Sequence, residues 1–150
     1  MMTSIVIVSR QQFSDSNYLP LFDGDLIISI AAPGEEHPRP RVTVPRLDIQ
    51  FHDVTEEVMD GEKLWRCMDQ CHAEIILDFM EQYSPLSDRL IIHCAAGMSR
   101  SPGVGVGLAR YFDLGETENE LRDRFPHFNP VVAKTIWTEC ERRRYVPLFV

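Results

Sequence analysis

The chain has 150 residues, 44% of them apolar, with 15 basic and 23 acidic side chains and a formal charge of −8. That length suits one compact domain with a real core. The acidic balance argues against broad affinity for nucleic acid or an anionic membrane, since both need a basic surface, but it allows one phosphate held locally by a few oriented donors.

Residues 3–8 (TSIVIV) are β-branched and apolar and read as a buried strand. The run is too short for a secretory leader and meets Arg10 at once, and no stretch reaches the ~18 apolar residues of a membrane span. Four cysteines in such a chain are expected as free thiols, so the expected location is the reducing cytoplasm. Residues 26–30 (LIISI) form a second expected strand. Residues 32–45 carry five prolines or glycines, namely Pro33, Gly34, Pro38, Pro40 and Pro45, and must be a loop. His37, Arg39, Arg41 and Arg46 make it locally basic. The plain reading is a solvated loop, and the sharper one a rim that attracts a phosphorylated substrate.

Leu47, Ile49 and Phe51 alternate, which is strand spacing. From about residue 60 to 83 the period becomes helical: Leu64, Met68, Cys71, Ile75 and Phe79 recur every three or four residues, and Ser84-Pro85 ends the run. Trp65 and Trp137 fall on apolar helical faces and read as core. Cys67 and Cys71 fall within the same stripe beside His72, and packing in the core is preferred there over a metal site. Residues 90–93 (LIIH) suit the centre of a parallel sheet. Residues 102–112 follow as a helix with proline in its first turn. Gly103, Gly105 and Gly107 each weaken that helix by about 1 kcal/mol relative to alanine and so point to close packing. Thr117 and Glu120 have capping-box spacing, and Asn129-Pro130 opens a last helix through about residue 144 with Asn129 as its cap. The order of strands and helices indicates a single α/β domain over residues 1–150, with a central, mostly parallel sheet flanked by helices.

The chemistry concentrates in His93-Cys94-Ala95-Ala96-Gly97-Met98-Ser99-Arg100-Ser101. A loop of this length between a strand and a helix can turn the backbone N–H groups of residues 95–100 toward one tetrahedral anion, where the helix dipole adds to their field. Gly97 permits a backbone conformation that a side chain resists. Arg100 offers a planar fork for two phosphate oxygens. The same field favours the thiolate of Cys94, the nucleophilic form. Ser101 can hydrogen-bond the sulfur as it leaves, and His93 is expected to support the loop through its ring.

His-Cys, five residues, Arg-Ser resembles the signature loop of the protein tyrosine phosphatase superfamily, and HCAAGMSRS looks most like its dual-specificity branch. Phe128-Asn129-Pro130 resembles the family's downstream turn, and the likeness runs over about residues 47 to 140. It implies a two-step mechanism through a phosphocysteine, with Cys94, Arg100, Ser101 and an upstream aspartate as catalytic residues and no metal or organic cofactor. It also implies a phosphorylated protein or peptide as substrate. The acid is expected at Asp53, just past the strand ending at Phe51. Asp60 is the second candidate, though its preferred reading is the cap of the long helix, and Asp48 is the third. Phosphotyrosine is the expected substrate, with phosphoserine and phosphothreonine open to a shallower cleft. The alternative is a module that binds phosphorylated residues with little or no turnover. A disulfide between Cys94 and Cys67 or Cys71 under oxidation is a further reading that needs proximity.

Overall fold

A computed structural model describes residues 2–39 and 42–149. Four strands form one parallel sheet: β1 (Ser4–Ser9), β2 (Asp25–Ala31), β3 (Arg46–Gln50) and β6 (Arg89–Cys94), in the order β1-β6-β2-β3. The two inner strands read as apolar runs because both of their faces are covered: all seven residues of β2 are buried, as are all but the first of β6. The edge strand β3 alternates instead, with Ile49 buried and Asp48 and Gln50 exposed.

The two faces divide the core. Ile5, Ile7, Ile28, Ile30, Leu90, Ile92 and Cys94 pack against helices α2 (Gln70–Tyr83), α3 (Arg100–Ala109), α4 (Glu118–Arg124) and α5 (Pro130–Arg142). Val8, Ile27 and Ile91 face the other way, toward Phe13 of the short helix α1 (Arg10–Ser14) and Leu19. The glycines of α3 act as the sequence suggests. A Cβ at Gly103 would stand 2.8 Å from the Asn129 carbonyl oxygen, one at Gly107 3.0 Å from Ile136, and one at Gly105 2.8 Å from Ile7. These gaps let α5 and β1 approach the helix backbone. Thr117 and Asn129 cap α4 and α5 as read from the sequence.

The segment from 60 to 69 departs from expectation. It is not helical: β4 (Val58–Asp60) and β5 (Lys63–Trp65) pair antiparallel around Gly61, whose φ of +64° makes the tight turn. Asp-Gly between short strands outweighed the helical spacing of Leu64 and Met68. Asp60 therefore caps no helix. The cap of α2 is Asp69, in a reciprocal box with His72. The expected stripe also rotates, because Ala73, Ile76, Leu77, Phe79 and Met80 are buried while Ile75 and Cys71 are exposed. Cys67 is only half-buried, so neither cysteine is a core residue. Trp65 lies on β5, half-buried against His52, rather than on a helix. Trp137 does sit on α5, partly buried against the core with the Arg110 guanidinium over its ring.

Candidate active site

Every element of the expected loop converges at the C-terminal end of the sheet. β6 ends at Cys94, α3 begins at Arg100, and residues 95–99 join them. The loop is seated on the junction of β1 and α1. Arg10 N donates to the Ala95 carbonyl (3.2 Å). Gly97 has φ +70°, and a Cβ there would lie 2.6 Å from Ser9 N and Val8 C, so this position needs glycine for both conformation and space.

Cys94 is 2% exposed. Its Sγ accepts from Gly97 N at 3.3 Å and lies 3.1 Å from Ser101 Oγ, which is fully buried in the first turn of α3. Arg100 is buried to 8% exposure, and its Nη1 donates to the Phe51 carbonyl at 3.0 Å. That bond ties the loop to the segment just past β3, where Asp53 follows.

Asp53 is exposed, but both of its hydrogen bonds arrive at Oδ1: Ser99 Oγ donates at 2.7 Å and Asn129 Nδ2 at 3.0 Å. Ser99 occupies the N-cap position of α3 yet makes no side-chain cap, because its hydroxyl is turned to Asp53. Asn129 caps α5 with Oδ1 and uses Nδ2 for Asp53 and for the Val54 carbonyl. A cleft of about 400 Å³ opens here between residues 53–58 and 127–130. The two other acid candidates stand elsewhere: Asp60 is exposed on the β4–β5 hairpin, and Asp48 is held by the Arg46 guanidinium at 2.5 Å.

Two histidines flank the loop, both kept neutral. His93 is fully buried and stacks on Phe13 with ring centroids 4.4 Å apart. Among the described residues neither ring nitrogen meets a well-formed hydrogen-bond partner, the backbone of Cys94 offering only a weak one. Burial, then the cations Arg46, His37 and Arg10, push its pKa down to about 4. Its ring thus meets α1 by stacking on Phe13. His52 accepts from Arg66 N through Nδ1 (2.9 Å), and burial together with Lys63 and Arg100 lowers its pKa as well. Of the basic residues read in the loop at 32–45, Arg46 is met by Asp48 and His37 bonds Ser29, Arg39 is exposed, and Arg41 lies outside the described residues.

Sequence reasoning found Asn129 as a helix cap and as part of a turn resembling the family's, but not its reach to Asp53, and it passed over His52. The amide of a capping asparagine has a second end, and that end was the available signal. His52 had none, since its ring is recruited by a hairpin that the periodicity hid.

Among the described residues no cluster of three or more His, Cys, Asp or Glu could hold a metal, and no helix is long and apolar enough to cross a membrane. No protein-family model matches the chain, and neither does any curated protein. A solved structure does, the crystal structure of Tk-PTP in the active form, aligned with a TM-score of 0.50 at 16% identity over 93% of this chain and 92% of that one. The chain therefore has a single-domain α/β fold of the protein tyrosine phosphatase kind, a likeness of architecture that spans nearly its whole length.

Proposed function

We propose that the protein hydrolyses phosphate monoesters, with phosphotyrosine in proteins or peptides as the preferred substrate. The observation that carries the reading is the convergence at Cys94: its sulfur meets Gly97 N and Ser101 Oγ at a helix N-terminus, while Ser99, in the same loop, holds Asp53. In the first step the Cys94 thiolate attacks phosphorus in line and the P–O bond breaks. Arg100 and the loop N–H groups of residues 95–100 stabilise the charge on the phosphoryl oxygens. The leaving oxygen takes a proton from Asp53. In the second step the Asp53 carboxylate removes a proton from water, the hydroxide attacks phosphorus and the S–P bond breaks. Ser101 donates to the departing sulfur. All of these groups come from the chain itself, and a reducing compartment such as the cytoplasm suits the free thiol.

Two donors on Oδ1 leave Oδ2 as the oxygen of Asp53 that carries the proton. The test is release of phosphate from p-nitrophenyl phosphate and from a phosphotyrosyl peptide. Wild type is expected to turn over both, and Cys94→Ser neither. A phosphopeptide held by wild type without any phosphate release would sink the hydrolase and leave a binding module. Comparison with phosphoseryl and phosphothreonyl peptides then reads dual specificity directly.

A further inference from the structure

We infer that Asn129 is the latch that holds the acid loop against the cysteine loop, a positioning role separate from its capping of α5. The inference rests on the hydrolase reading above, and it adds a residue that acts through Asp53.

Asn129 is 3% exposed, and every hydrogen-bonding group it has around the site is engaged. Its backbone N–H donates to the Ser99 carbonyl at 2.9 Å. Its Oδ1 accepts from Val131 N (3.0 Å) and Val132 N (3.4 Å), which fixes the orientation of the amide. Its Nδ2 is then forced toward the acid loop, where it donates to Asp53 Oδ1 and the Val54 carbonyl. One residue thus grips three segments: the cysteine loop through Ser99, the acid loop through residues 53 and 54, and α5. Ser99 closes the triangle from the other side. It gives up the cap of α3 to donate to the same Oδ1. A capping role alone requires only the oxygen end of the amide. The nitrogen end is available to select one rotamer of Asp53, with Oδ1 turned in and Oδ2 turned out.

The two roles separate in Asn129→Asp. Aspartate caps a helix N-terminus as well as asparagine does. Its second oxygen, however, faces the Asp53 carboxylate with no proton to donate, so the latch opens and the helix stays. The enzyme is assayed on phenyl phosphate, whose leaving group needs protonation, and on 2,4-dinitrophenyl phosphate, whose leaving group does not. Asn129→Asp is expected to lower kcat/KM, which reports only formation of the phosphocysteine, by roughly 10- to 100-fold on phenyl phosphate, part of the 10²–10⁴ that general acid catalysis supplies, with less than about a threefold change in kcat/KM on the dinitrophenyl ester. In an Asp53→Asn background the same substitution is expected to cause no further loss, because the acid it positions is gone. An equal loss of kcat/KM on both esters, or an undiminished loss in the Asp53→Asn background, would overturn the latch. Wild type inert toward both esters would remove the hydrolase reading and the latch with it, an outcome distinct from either.

Discussion

At the scale of single residues, the site divides its labour between side chains that face the sulfur and side chains that hold the acid. Ser101 belongs to the first group: it is fully buried, and its hydroxyl lies 3.1 Å from Cys94 Sγ. Its donated bond matters most when sulfur leaves as a thiolate, so Ser101→Ala is expected to slow breakdown of the phosphocysteine more than its formation. Rapid mixing with p-nitrophenyl phosphate should show a burst of nitrophenol, followed by a steady rate about 100-fold below wild type, the lower end of the 10²–10⁴ usual for a positioned proton donor. Absence of a burst would show that Ser101 has no part in the second step. The positions of Cys94, Arg100 and Asp53 could be read in the sequence because each sits beside a local mark, a strand end or a helix start. The tethering ends of Ser99 and Asn129 were not, since what they reach lies 46 and 76 residues away in the chain.

At the scale of elements, the close seam between α3 and α5 is made by two glycines that are not equivalent. Alanine at either position gains about 1 kcal/mol of helix propensity. At Gly107 the nearest atoms the new methyl meets belong to the Ile136 side chain, at 3.0 to 3.2 Å, which must give by a few tenths of an ångström, and the two effects are expected to offset within about 1 kcal/mol. At Gly103 it meets the Asn129 carbonyl oxygen at 2.8 Å, which cannot move without pulling the cap of α5 and the Asp53 tether. Gly103→Ala is therefore expected to cost about 1–3 kcal/mol in urea unfolding and to lower turnover, while Gly107→Ala leaves turnover near wild type. The sheet and the late helices could be read from sequence because each is announced locally, by an unbroken apolar run at β2 and β6 or by a cap at Thr117 and Asn129. The hairpin at β4 and β5 could not. Its strands are three residues each, and their side chains are exposed or half-buried, so no buried period competed with the apparent helical one. The cap of α2 escaped for a related reason: its box pairs Asp69 with a histidine rather than with glutamate or glutamine.

At the scale of the whole molecule, acid lability is expected in two steps. The folded pKa of His93 is depressed from 6.5 to about 4, so the unfolded chain binds the extra proton. Stability is then complete above pH 6.5 and falls as pH drops toward 4, by an amount on the order of 3 kcal/mol at most. Glu139 follows at lower pH. Hydrogen bonds from Arg142 and then Arg143 hold its pKa down to about 2, so its contribution is present above 4.5 and is lost as pH falls toward 2. Urea unfolding at half-unit pH steps should show both regions. His93→Leu is expected to flatten the upper one and leave the lower one in place, and an unchanged upper slope would refute the assignment. Arg143 also reaches Asp78 and Glu81 of α2, clamping the end of α5 to that helix.

The seat of the cysteine loop on the first strand sets the order in which the molecule can become active. Cys94 pairs in register with Ser9, and the β1–β6 ladder joins residues 85 apart, from Ser4 opposite Arg89. Ribosomal synthesis delivers β1 first, and it has no partner until β6 emerges. The helices can gain structure locally, but the loop has nothing to rest on until the two strands meet, and closing so long a span is slow. Refolding from urea is accordingly expected to restore far-ultraviolet circular dichroism before it restores reactivity toward phosphate esters, with the lag measuring the time the chain takes to bring its two halves together.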